Sequence, residues 1–144
     1  MIEQDTVRLL RECDAGVKMG IASLDDVMGQ AHDEKLRRCL TECRSKHEAL
    51  DGEIQNQLDR CQDKGKEPAP LAKGMSWMKT NIKLGLDNSD QTIADLITDG
   101  CNMGVKSLRK YLNQYKAADE NSKNVAKRLI DLEEKLARDM HAYL

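Results

Sequence analysis

Phenylalanine is absent from this chain, aromatic residues make up only 3% of it, and just 2 prolines interrupt it. A core without Phe must be filled by Leu, Ile, Val, Met, Ala, Cys and Gly. That set suits close helix packing better than a sandwich or a barrel. Few prolines mean few forced breaks in a helix. Long apolar runs are also missing, so no segment is expected to cross a membrane. Met1-Ile2-Glu3-Gln4-Asp5 has neither the basic nor the apolar region of a signal peptide. No charge of one sign dominates. The formal net charge is -2, which gives no electrostatic ground for a nucleic-acid partner. A disulfide framework is lacking too. The 5 cysteines, Cys13, Cys39, Cys43, Cys61 and Cys101, are odd in number and read as reduced thiols of a cytoplasmic protein. No Cys-x-x-Cys pair, phosphate-binding glycine loop or Ser-His-Asp arrangement is present, so the reading leans away from an enzyme.

What the chain does contain is charge at helical spacing: 33% charged and 40% hydrophobic residues over 144 positions, the size of one domain. Leu9, Cys13, Gly16, Gly20, Leu24 and Val27 recur at three- and four-residue steps, with Leu10, Asp14, Val17 and Ile21 in the next row. They predict a helix from about Asp5 to Gln30. Leu36, Leu40, Cys43, His47, Leu50, Ile54, Leu58 and Cys61 predict a second, over about Asp33 to Asp63. The turn between them is too short for anything but an antiparallel helix hairpin. After Lys64–Pro70 a shorter helix is expected over Leu71–Leu86. Further long helices follow over about Gln91–Lys116 and Lys123–Tyr143. The shorter helix, with Met75, Trp77 and Met78 among its lysines, reads as one that buries its apolar stripe on its own bundle rather than docking a partner or an anionic surface.

An internal echo organises these elements. Gly16, Met19, Gly20, Ser23 and Leu24 recur at one offset as Gly100, Met103, Gly104, Ser107 and Leu108. The expected architecture is therefore a single all-α domain over 1–144. It has one helix hairpin at 5–63, a crossover at 64–89 and a second, like hairpin at 90–144. Glycine inside a helix costs about 1 kcal/mol relative to alanine. The paired glycines are accordingly expected to mark seams where helices approach closely, the alternative being space for a ligand.

Duplicated hairpins joined by a long crossover resemble the ferritin-like superfamily of antiparallel four-helix bundles. Asp14, Gly16, Gly20 and the stretch Thr98-Asp99-Gly100-Cys101-Asn102-Met103-Gly104 resemble an uncharacterised bacterial family within it. That resemblance implies a metal centre built from one Glu on each of two helices and a Glu-x-x-His on each of the others. Here the second helix reads Arg44-x-x-His47 and the fourth Glu133-x-x-Leu136, so each motif is half present. Arg44 would oppose the charge a di-iron site needs to balance. The expectation is a bundle without a di-iron centre.

The polar residues left at the same level are Asp14, His47, Asp99 and Glu133. Counting outward from the first turn places Asp14 beside His47, so those two are expected to pair. Cys39, Cys43 and His47 step by four along one face with Cys13 near them. This stripe is similar to cysteine-lined copper-storage bundles and offers soft ligands for zinc or copper(I). A buried cysteine is also simply a small hydrophobe. The favoured function is a non-catalytic bundle in a structural or protein-interaction role, as a homodimer or with another protein, and with no cofactor. The alternative is a binding protein for one metal ion (zinc, copper or iron) or for a small ligand inside the bundle.

Overall fold

The computed structural model describes residues 3–63, 65 and 89–144. The helix expected over Leu71–Leu86, and nearly all of the crossover, lie outside the described residues. Helix α1 spans Gln4–Met28, α2 Glu34–Arg60, α3 Asp90–Gln114 and α4 Glu120–Met140, and α4 runs into a 3-10 turn at His141–Tyr143. No strand occurs among the described residues.

Short polar side chains set the helix starts. Asp33, Ser89 and Asp119 each accept a hydrogen bond from the backbone N–H three residues on, at Leu36, Thr92 and Ser122, satisfying donors that the first turn leaves open. Because Asp119 caps α4, that helix begins at Glu120, one turn earlier than the sequence spacing predicts. At the end of α2 the chain leaves the helix through Gln62, which takes a left-handed φ of 55°, while Asp63 N–H donates back to Leu58 O at 2.9 Å.

Six contacts fix the helix directions. At one pole Ala117 N–H donates to Asp5 (3.1 Å) and Asp119 N–H to Thr6 (2.8 Å), so the start of α1 meets the α3–α4 turn. Asp63, just past α2, forms an ion pair with Arg11 near the same pole. At the other pole His32 and Asp33 N–H groups donate to the two oxygens of Asp90 at 2.7 and 2.8 Å, so the α1–α2 turn meets the start of α3. Tyr143 OH reaches Asp33 there as well, at 3.0 Å. Hence α1 and α4 run one way, and α2 and α3 the other. The end of α2 and the start of α3 sit at opposite poles of the bundle. Within it α1 packs on α2 and α3 on α4, and the two pairs meet through α1–α3, α1–α4 and α2–α4.

The interior divides into two apolar clusters. One holds Leu24, Val27, Leu36, Leu40, Ile93, Ile97, Leu136 and Met140. The other holds Leu9, Leu10, Val17, Leu50, Ile54, Leu58, Leu108, Val125, Leu129 and Ile130. The inward face expected for α2 is buried from Leu36 to Leu58, with Cys61 half-buried at its end. The face of α3 departs from expectation. Gly100 is exposed, and the inward residue is its neighbour Cys101. A one-residue step turns a side chain by about 100° around the helix, enough to exchange inside for outside.

Candidate functional site

Between the two clusters lies the most deeply buried ionisable pair described. His47 is 0% exposed, and its Nε2 lies 2.8 Å from Glu133 Oε1 across the α2–α4 seam. The antiparallel run of these helices sets the pairing. Cys39 meets Asp139 toward one pole, His47 meets Glu133 in the middle and Glu53 meets Arg128 toward the other. His47 Nδ1 faces the Cys43 backbone carbonyl at 2.8 Å, with the Cys43 thiol at 3.5 Å.

A carbonyl oxygen can only accept, so Nδ1 carries a proton and donates it. Nε2 faces a carboxylate, so a second proton lies along that bond, and the pair is in effect imidazolium and carboxylate. Burial alone would push His47 below its ordinary 6.5. The hydrogen bonds to Cys43 and Glu133 and the Glu133 charge outweigh it and raise His47 to about 10. Cys101, on α3, also hydrogen-bonds Glu133. Burial and the adjacent carboxylate push its thiol well above the ordinary range, so it stays protonated and donates. Burial likewise pushes the Cys13 thiol up to about 12 and the Cys39 thiol to about 11, far from the low values that make a cysteine a nucleophile.

All four helices shape this layer. On α1 the residue facing the imidazole is Gly20, where a Cβ would stand 2.8 Å from His47 Cδ2 and 2.9 Å from Nε2. On α3 a Cβ at Gly104 would lie at an ordinary 4.0 Å from the Glu133 carboxylate. The expectation that all the paired glycines mark close helix approach is therefore corrected. A Cβ at Gly16 would only touch Leu129 at 3.8 Å, and one at Gly100 would meet nothing within 4 Å. Of these four glycines only Gly20 is required to be small, and the group it admits is an imidazole. Gly20→Ala is thus expected to destabilise the protein by about 1–3 kcal/mol despite its better helix propensity, as overpacking does. Gly104→Ala should be neutral or stabilising. Urea unfolding of the two variants checks this contrast, and equal stabilities would contradict it.

The expected Asp14–His47 pair is not formed. Asp14 is fully buried, but its carboxylate takes the Gln55 amide at 2.6 Å and Lys18 Nζ at 3.1 Å. Gly65, at φ +85°, closes over it where any Cβ would collide with the carboxylate. The turn-based count misses because helical side chains lean toward their own N-terminus. In an antiparallel hairpin that lean carries every contact to higher residue numbers on both helices. Asp14 meets Gln55 and His47 meets Gly20, further along than lean alone carries them, the long Gln55 side chain covering part of the remaining distance. Asp99 is exposed on α3 and joins no polar core. Arg44 turns outward to Asp25 and Glu48.

No known protein family, curated protein or solved structure matches this chain.

The soft-ligand stripe is dispersed. Cys43 stays beside His47, but Cys39 turns its thiol to Asp139 (3.6 Å) and Cys13 lies in the other apolar cluster. Among the described residues no group of three or more His, Cys, Asp or Glu side chains is placed to hold a metal ion. The di-iron set implied by the resemblance does not fit either. Asp14 and Asp99 are directed elsewhere, and Glu133 is engaged with His47.

Proposed function

We propose that this chain is a ferritin-like bundle in which an ion pair replaces the metal centre, and that it acts as a structural or protein-interaction element. The helix order supports the ferritin-like reading, since α2 ends and α3 begins at opposite poles, as a bundle with one long crossover requires. The observation that carries the functional reading is the His47–Glu133 pair itself. The histidine of one half-motif and the glutamate of the other neutralise each other at the centre of the bundle. Both imidazole nitrogens are already bonded, and Gly20 leaves no room beside the ring. A centre closed in this way directs function to the outer surface. Large apolar side chains are turned outward there at Met19 on α1 and Met103 on α3, 41% and 60% exposed. A second copy of the chain or another protein would cover them.

Metal analysis of the purified protein, paired with light scattering, tests the reading. The expected result is far less than one equivalent of any transition metal and an assembly that Met19→Glu with Met103→Glu disrupts. One equivalent of zinc, copper or iron that is lost in Glu133→Gln would overturn it in favour of the single-ion alternative, with His47 and Glu133 rearranged to bind the metal.

A further inference from the structure

An open groove of about 280 Å³ runs between α2 and α4. Along α2 it extends from Lys35 to Lys46, about 17 Å at helical rise. Leu132 and Leu136 of α4 and the Cys39 side chain give it an apolar floor. Its rim is basic. Lys35, Arg38 and Lys46 line it, and among the described residues no ion pair or side-chain hydrogen bond holds Lys35 or Lys46. Arg38 stands one turn from Lys35 and is equally uncommitted among the described residues. Against them stand Glu42, and Asp139, which is already bonded by Lys135 at 2.7 Å. Four cations therefore face two carboxylates on a chain whose net charge is -2.

This combination selects its occupant. An inorganic anion would satisfy the rim and leave the half-buried Leu132 uncovered. A neutral lipid would cover the leucines and leave the cations unused. The geometry points to a binding site for a medium-chain fatty carboxylate in the α2–α4 groove, its chain on Leu132 and Leu136 and its carboxylate at Lys35 and Arg38. The head group goes to that end because two cations lie within one turn there, whereas Lys46 stands alone at the other. Small-molecule sites of this size commonly pair an apolar lining with a few placed charges. The inference is independent of the ferritin-like reading and of the metal assay that tests it.

Titration of the full chain with octanoate, followed by calorimetry and by the methyl signals of leucine, is the test. Saturable binding of one octanoate is expected, about tenfold or more tighter than acetate because of the buried methylenes, with no binding of octylamine. Lys35→Glu with Arg38→Glu should weaken octanoate by about tenfold or more and leave the melting temperature unchanged, since both side chains are exposed. Equal affinity for acetate and octanoate, no saturation up to millimolar octanoate, or unchanged affinity in the double variant would each overturn the proposal. So would displacement of octanoate by an acidic peptide that binds more tightly.

Discussion

Replacing His47 with alanine is expected to lower the free energy of unfolding by about 3–5 kcal/mol, because Glu133 is left buried without its partner and a cavity opens beside Gly20. The two effects separate with a second variant. His47→Leu combined with Glu133→Leu removes both charges and refills much of the space. Well-packed apolar replacements of a buried ion pair are typically neutral or stabilising by about 1–4 kcal/mol. Urea unfolding of the two variants should therefore give opposite signs relative to the parent. The pair would then be a device for specificity, joining the two hairpins in one register, rather than a source of net stability. A loss below about 0.5 kcal/mol in His47→Ala, the range of surface substitutions, would contradict a packed and paired imidazole.

Raising the pH from 6.5 to 8.5 is expected to cost stability at about 1.4 kcal/mol per pH unit. The sign follows from the His47 proton. In the unfolded chain histidine releases it near 6.5, and in the folded chain His47 holds it up to about 10. The folded state thus binds one more proton over that interval. The stabilisation is complete below 6.5 and is lost as pH rises through 10. The groups facing the ring are Glu133 from α4, the Cys43 thiol on α2 itself, and Cys101 from α3 through Glu133. Gly20 of α1 brings no charge. Above pH 9 the thiols add to the loss, because Cys13 and Cys39 keep their protons to about 12 and 11 when folded but release them near 9.0 when unfolded. The His47 contribution is therefore read below that point. The double leucine variant should have no such slope between 6.5 and 8.5, and a slope equal to the parent's would assign it to other groups.

His47 could be found from sequence because it lies in an unbroken three-four rhythm with Leu40, Cys43, Leu50 and Ile54, and such a rhythm places a residue inside whatever its chemistry. Its partner could not. Partnership depends on register between helices, and register depends on side-chain lean and length as well as on turn position. Asp14 was the nearer choice by count, yet its carboxylate is held by Gln55 two turns further along α2. Glu133 was placed at the same level as His47, as half of a motif with Leu136 in the histidine's place, but was not singled out as its partner. The choice between Gly100 and Cys101 fails for a related reason. The repeated Gly-xxx-Gly spacing is real in the sequence, but one residue of helical phase decides which of two neighbours is inside. The α2–α4 groove leaves no trace in periodicity, because Lys35, Arg38 and Lys46 read as solvated positions until α4 is laid beside them.

The claim on which the rest depends is a protonated imidazole sealed at the centre of the bundle. Nitrogen-15 NMR of the histidine rings, with His47 assigned by its absence in His47→Leu, measures it directly. Both His47 nitrogens are expected to keep imidazolium-like shifts from pH 6 to pH 9, with slowly exchanging protons on Nδ1 and Nε2. A His47 ring that titrates below pH 7, or one whose nitrogens exchange freely with water, would contradict it.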